Sequence, residues 1–131
     1  MGKVQLIRSQ MSKTKDMMMT IGVNEKQHID ASHDMYFIRV HLNLRQILDS
    51  VTPDNIVVKR IQRMANRYIG FFRNDDEFIT KNSLIKLLEW CKENNVNEIA
   101  FNEYEINKID IKNIEDLANQ FDMNINVVIE R

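Results

Sequence analysis

The segment NEIAFNEYEINKIDIKNIEDLANQFDMNINVVIER, from Asn97 to Arg131, decides the fold class of this chain. Apolar residues alternate imperfectly with polar ones from Asn97 to Ile106, which predicts a strand. A short helix follows, with Asp110 or Asn113 as its cap, and Met123 to Arg131 form a second strand. Because two strands joined through a helix usually lie parallel with a right-handed crossover, this segment predicts a β-α-β unit.

Three further strands and three helices are predicted upstream of this unit. Alternating or continuous apolar residues predict the strands, and apolar residues at helical spacing predict the helices. The strands are Lys3–Ser9, Met17–Val23 and Met35–Leu42, and the helices are Leu44–Ser50, Pro53–Phe72 and Thr80–Asn95. The predicted order is β-β-β-α-α-α-β-α-β, a small mixed β-sheet with helices packed on it, in the α/β (α+β) class.

The predicted helix from Pro53 to Phe72 carries the strongest candidate binding surface. Proline suits the first helical position and aspartate the first turn, so Thr52-Pro53-Asp54 predicts its start. Its apolar stripe consists of Val57, Ile61, Met64, Tyr68 and Phe72. Arg60, Arg63 and Arg67 lie beside that stripe, and their guanidinium groups suit phosphate or carboxylate oxygens. The alternatives are a solvated helix face, whose long side chains cover apolar surface, or an acidic protein partner.

The loop after the first predicted strand is a second candidate anion site. RSQMSKTK contributes cations and hydroxyls that can surround a phosphate, chiefly Arg8, Ser12 and Lys13. The glycines of a P-loop are missing, so this motif does not apply. The alternative is a polar loop that binds nothing.

Length, composition and charge restrict the class of protein. At 131 residues, with 44% hydrophobic and 28% charged residues, the chain is expected to be one globular domain over residues 1–131. Residues 1–73 carry twelve Lys or Arg against six Asp or Glu, and residues 74–131 carry six against thirteen, so the net charge of −1 hides a strong asymmetry. With one cysteine and no signal peptide or long apolar run, a cytoplasmic protein outside the membrane is expected.

These features favour a non-enzymatic binding protein that captures a phosphate-bearing ligand, a nucleotide or nucleotide signal, through its basic N-terminal half. No cofactor and no metal site is predicted. The sequence pI of about 6.3 argues against a duplex nucleic acid partner. Cys91 lies in the apolar register of its helix and is expected to be buried rather than nucleophilic.

Two other functional hypotheses remain open at this point. The first is a phage- or mobile-element-type inhibitor that acts by protein–protein interaction, in which charge asymmetry would serve docking or homo-oligomer formation. The second is a metal-dependent nuclease with Lys108 and a carboxylate cluster. The candidate carboxylates are Asp75, Asp76, Glu98, Glu103 and Glu105.

Overall fold

The secondary structure consists of six strands and four helices in the part of the chain that the computed structural model describes, residues 2–9, 18–29, 43–62 and 66–129. The strands are β1 (Lys3–Arg8), β2 (Met18–Val23), β3 (Val57–Ile61), β4 (Arg67–Arg73), β5 (Glu98–Asn102) and β6 (Asn124–Ile129). The helices are α1 (Leu44–Ser50), α2 (Glu77–Glu93), α3 (Glu103–Ile106) and α4 (Ile111–Phe121). The predicted α/β class, with helices packed on a mixed sheet, is confirmed.

The six strands form one sheet in the order β1-β6-β5-β2-β4-β3. All neighbours run parallel except β3, which is antiparallel to β4. The predicted β-α-β unit is confirmed, because β5 and β6 lie next to each other and parallel, with α4 between them in sequence. The register aligns Glu98 with Asn124 and Asn102 with Val128.

The prediction of one helix from Pro53 to Phe72 is wrong, because the described residues of this segment contain two strands, β3 and β4. Thr52 and Asn55 exchange two backbone hydrogen bonds of 3.1 Å each, so Pro53 occupies a turn. After this turn, β3 and β4 form an antiparallel hairpin. β-Branched and aromatic residues are frequent in both strands, VVKRI and RYIGFFR, and such residues favour a pleated surface. Asn66 precedes β4 with φ of 60°, a conformation that asparagine tolerates in turns.

Helices cover both faces of the sheet. α2 and α4 bury residues such as Leu87 and Leu117 in one cluster, together with Phe101 of β5. α1 contributes to a second cluster, which contains Ile69 and Phe71 of β4. Both faces of the central strands are therefore covered, as is usual for parallel sheets.

A glycine in β4 allows the longest helix to approach the sheet. A Cβ atom on Gly70 would lie 2.7 Å from Leu87 Cδ2 and 3.0 Å from Met18 Sδ. Cys91, one turn further along α2, is fully buried as predicted, and its Sγ lies 3.7 Å from Met18 Sδ. The apolar packing of α2 against β2 and β4 therefore depends on a small residue at position 70.

Other predicted elements differ from the structure mainly at their ends. The strand predicted for Asn97–Ile106 stops at Asn102, and residues 103–106 form α3 instead. The helix predicted for Thr80–Asn95 is α2, Glu77–Glu93. The strand predicted for Met35–Leu42 lies outside the described residues. Among the helices of the described part, none is both long and apolar enough to cross a membrane.

Candidate ligand-binding crevice

The connections that follow β2 and β5 lead toward opposite edges of the sheet. From β2 the chain passes through α1 and β3 to β4, which is the neighbour of β2 on one side. From β5 it passes through α3 and α4 to β6, which is the neighbour of β5 on the other side. In open α/β sheets, ligands bind outside the carboxyl ends of strands at such a switch point. The topology therefore places a candidate crevice between the carboxyl ends of β2 and β5.

The two strands that flank this crevice pair over a short length. Met18 and Met19 of β2 face Ile99 and Ala100 of β5, and the ladder goes no further. Beyond it, the Thr20 hydroxyl lies 2.9 Å from the carbonyl oxygen of Ala100. Side chains rather than backbone pairing therefore join the carboxyl halves of these strands.

The carboxylate of Glu105 lies between the two strand ends. Its Oε1 accepts hydrogen bonds from the Asn102 backbone N–H at 2.8 Å and from the Thr20 hydroxyl at 2.9 Å. Its Oε2 accepts from the backbone N–H of Gly22. Because the Thr20 hydroxyl has a single proton, Glu105 and the Ala100 carbonyl compete for it. Glu105 is only 6% exposed, so these donors replace the water that its carboxylate has lost.

Local sequence explains why Glu105 points into the crevice. Asn102 caps α3, and its side-chain oxygen accepts a hydrogen bond from the Tyr104 N–H at 2.9 Å. In return, the Glu105 carboxylate accepts a hydrogen bond from the Asn102 N–H. This is a capping box, in which the third helical residue is commonly glutamate. The capping box fixes the carboxylate at the end of β5, where β2 supplies its other donors.

A polar cluster connects the loop after β4 with the loop after β5. Arg73 Nε donates to Asp75 Oδ2 at 2.9 Å, and both side chains are 13% exposed. Lys108 Nζ donates to the carbonyl oxygen of Asp75. Next to this pair, the buried Asn74 accepts a bond of 3.3 Å from the Thr80 hydroxyl. The loop after β4 is therefore fixed by hydrogen bonds to Arg73, to Lys108 and to Thr80.

Two exposed aromatic side chains follow the same strand ends. Phe78, at the start of α2, is 74% exposed, and Tyr104 of α3 is 61% exposed. α2 begins shortly after β4 and α3 directly after β5, so both rings lie at the carboxyl edge of the sheet. Flat apolar rings at a polar edge are suited to stacking with a planar group.

The arginines of the predicted stripe do not share one face. In the hairpin, Arg60 faces Tyr68 and Arg67 faces Ile61, so Arg60 and Arg67 project from opposite faces. Arg60 is exposed and lies 5.7 Å above the Tyr68 ring, whereas Arg67 is 9% exposed. Arg67 is also at the amino end of β4, away from the crevice. Arg63 lies outside the described residues. Anion binding by Arg60, Arg63 and Arg67 stays a prediction, but the helix that was expected to align these side chains is not present in the described residues.

The loop candidates have a different position. Arg8 is the last residue of β1 and is paired with Ile129 of β6, one residue beyond the pair that joins Val128 to Asn102. At about 4.8 Å between strands, Arg8 is roughly 10 Å from the end of β5. Ser12 and Lys13 lie outside the described residues. Arg8 is therefore the predicted ligand-binding residue that the sheet places at the same edge as the crevice.

The carboxylates of the nuclease hypothesis do not converge in the described part of the chain. Glu103 and Glu105 belong to α3 and not to one strand face, and Asp75 is paired with Arg73. No group of three or more His, Cys, Asp or Glu side chains there has the arrangement of a metal site. The chain within these residues therefore gives the nuclease hypothesis no support.

The sequence analysis names Glu105 and Lys108, but only as candidate nuclease residues, and it misses the donors that hold Glu105 in the crevice. Thr20 and Gly22 are within an apolar run, and the predicted strand extends past Asn102. One feature of the sequence could have indicated these residues: a polar residue stands at the end of each apolar run, and ligands bind at the carboxyl ends of strands. Choosing the two strands that flank the crevice, however, requires the strand order, which local sequence patterns do not specify.

The architecture is shared with solved macrodomain structures. The macrodomain of Thermus aquaticus DarG matches with a TM-score of 0.71, 14% identity and 100% of both chains covered. The macrodomain of Mycobacterium tuberculosis DarG matches with a TM-score of 0.77, 13% identity and 98% of both chains covered. A point mutant of an Oceanobacillus iheyensis macrodomain, solved with ADP-ribose, matches with a TM-score of 0.66 and 12% identity, over 96% of this chain and 84% of that one.

These similarities concern the fold alone, because the identities are far below those that carry residue roles. The sequence matches no family model and no curated protein. The structural matches extend over nearly the whole chain, and not over one β-α-β unit. The chain therefore shares its three-dimensional fold with macrodomains.

Proposed function

We propose that this protein is a non-enzymatic binding module for a nucleotide, with an ADP-ribose-type ligand at the crevice between β2 and β5. The observation that carries the proposal is the switch point at these strand ends, in a fold shared with a macrodomain that was solved with ADP-ribose. This ligand class agrees with a phosphate-bearing partner, and the crevice would hold it at the carboxyl edge of the sheet.

In the part of the chain that the structure describes, Lys108 and Arg8 are two cations available to the phosphates of such a ligand. The Lys108 ammonium has three protons and uses one on the Asp75 carbonyl, so it can donate to a phosphate oxygen as well. Arg8 is exposed at the end of β1, roughly 10 Å from β5, within the length of a dinucleotide-like ligand. Charge-assisted hydrogen bonds from these groups would supply the affinity for phosphate.

The base of the nucleotide has two candidate stacking partners, Phe78 and Tyr104. Both rings are mostly exposed, and covering a ring of this size with a planar ligand removes apolar surface from water. They belong to separate helices, α2 and α3, and the loops beside these helices are joined by the hydrogen bond from Lys108 to the Asp75 carbonyl oxygen. The proposal assigns base recognition to apolar contact and phosphate recognition to Lys108 and Arg8.

The non-enzymatic part of the proposal is supported by the state of Cys91 and Glu105. Burial raises the pKa of the Cys91 thiol to about 12, so it is protonated at neutral pH and is not a nucleophile. The Glu105 oxygens are engaged with three donors inside the protein, which does not suit a base that must reach a substrate.

Isothermal titration calorimetry with ADP-ribose, ADP and AMP tests the proposal. We expect ADP-ribose to bind, and the Lys108→Ala variant to weaken binding roughly tenfold, because one charge-assisted hydrogen bond is lost. Lys92→Ala is the matched control, since Lys92 is an exposed lysine in the last turn of α2, at the other end of that helix from the crevice loops.

Two results would contradict the proposal. One is the absence of binding for all three nucleotides, which would strengthen the protein–protein interaction hypothesis. The other is an equal loss of affinity in Lys108→Ala and Lys92→Ala, which would show non-specific charge attraction instead of a site.

A further inference from the structure

Within the described residues, three hydrogen-bond donors of the inner crevice converge on the carboxylate of Glu105. They are the backbone N–H of Gly22, the backbone N–H of Asn102 and the hydroxyl of Thr20. Two of them belong to β2, more than 80 residues from Glu105 in sequence. Helix capping explains the bond to Asn102, but it does not explain why donors of β2 point to the same group.

The arrangement has the chemistry of an oxyanion-binding site. Backbone N–H groups and hydroxyls directed into a concavity bind phosphates and carboxylates in many proteins. Here the bonds to Glu105 Oε1 measure 2.8 and 2.9 Å, and the residue that carries the carboxylate is buried. The donors are thus already matched with an anion, which belongs to the protein itself.

We propose that Glu105 is an internal oxyanion that excludes external phosphates and carboxylates from the inner crevice and so determines its specificity. This inference depends on the hydrogen bonds to Glu105 and not on the proposed nucleotide binding. An experiment can therefore contradict the role of Glu105 without contradicting nucleotide binding, and the reverse. If a nucleotide does bind, its phosphates must lie further out, toward Lys108 and Arg8, because a second anion beside a buried carboxylate is repelled.

Removing the carboxylate should convert the inner crevice into a site for small oxyanions. In Glu105→Ala, the N–H groups of Gly22 and Asn102 lose their acceptor, which destabilises the fold because buried donors are left unpaired. Phosphate or acetate that fills the vacated position would restore stability, by mass action on the folded state. Chloride lacks the oxygen pair that spans both donors.

The experiment measures the thermal unfolding midpoint of wild type, Glu105→Ala and Ile106→Ala in sodium phosphate, acetate and chloride at equal ionic strength. Ile106→Ala is the matched control, because it truncates a buried residue of the same helix and leaves Glu105 in place. We expect phosphate and acetate to raise the midpoint of Glu105→Ala more than the midpoints of wild type and Ile106→Ala, which show only the general effect of each salt on a folded protein.

Amide chemical shifts locate the effect. In Glu105→Ala, the Gly22 and Asn102 resonances should move on addition of phosphate and remain unchanged with chloride. If Glu105→Ala folds only in phosphate or acetate, the inference is supported. It is overturned if the variant folds in none of these salts, or if phosphate stabilises Glu105→Ala no more than Ile106→Ala.

Discussion

At the scale of single residues, Ser83 stands out because its hydroxyl is buried and has no hydrogen-bond partner among the described residues. Its Oγ lies on the buried side of α2, and no donor or acceptor within the described residues reaches it. One turn earlier, the Thr80 hydroxyl accepts from Asp75 N at 3.1 Å and donates to Asn74. The two hydroxyls are in the same helix and equally buried, yet only Thr80 is satisfied.

The Ser83→Ala variant should therefore be more stable than wild type. Removing an unpaired buried hydroxyl and adding a better helix former should raise the free energy of unfolding by about 1 kcal/mol. Urea denaturation measures this change. Thr80→Val is the contrasting variant, expected to lower the free energy of unfolding by about 2 kcal/mol, since it removes two hydrogen bonds. A loss of stability in Ser83→Ala as large as in Thr80→Val would contradict the prediction.

At the scale of elements, α2 joins the crevice to the core. It begins at the loop that Lys108 and Arg73 hold, and its buried side packs on β4 through Leu87. Asp76 caps its start, accepting from the Ile79 N–H at 2.8 Å. The cap therefore fixes the position at which the loop after β4 ends and α2 begins.

Loss of this cap should destabilise α2. Asp76→Ala is expected to lower the free energy of unfolding by about 1 kcal/mol, because the Ile79 N–H loses its side-chain acceptor. Asp76→Asn keeps an acceptor oxygen and is expected to lose less, only the favourable charge at the helix start. Chemical denaturation of wild type, Asp76→Ala and Asp76→Asn separates the contribution of the cap hydrogen bond from that of the charge at the helix start. If the asparagine variant is as unstable as the alanine variant, charge and not capping is the main contribution.

The elements also show where sequence patterns are sufficient. The caps and apolar runs predict α1, α4, β2 and β6 within a few residues. The hairpin of β3 and β4 is mistaken for a helix, because residues at helical spacing also fit two short strands when a turn separates them. β-Branched content and the turn at Thr52–Asn55 are the competing signals.

At the scale of the whole molecule, the two halves of the chain interleave in the sheet. β1, β2, β3 and β4 come from the basic half, residues 1–73, and β5 and β6 from the acidic half. β6 and β5 lie between β1 and β2, so the halves do not form separate bodies. The charge asymmetry along the sequence is therefore distributed across one sheet.

This arrangement predicts a gradient of hydrogen-exchange protection. Amides of β5 and β2 that pair with β6 and β4 lie in the centre of the sheet, almost all at buried residues, and should exchange only by global unfolding. β3 is at one edge of the described sheet, with exposed residues Lys59 and Arg60, and should exchange faster by local opening. Exchange measured by NMR at neutral pH tests this order, and equal protection in β3 and β5 would contradict it.

The sequence by itself determined the α/β class, the β-α-β unit at the carboxyl terminus and the burial of Cys91. These features depend on local periodicity, capping and apolar content, all of which can be read within a window of about one helix or strand. The tertiary structure decided the strand order, the hairpin and the crevice. Glu105 meets Thr20 and Gly22 across more than 80 residues, and no local pattern records such a contact. Only the insertion of β6 and β5 between β1 and β2 brings these groups together.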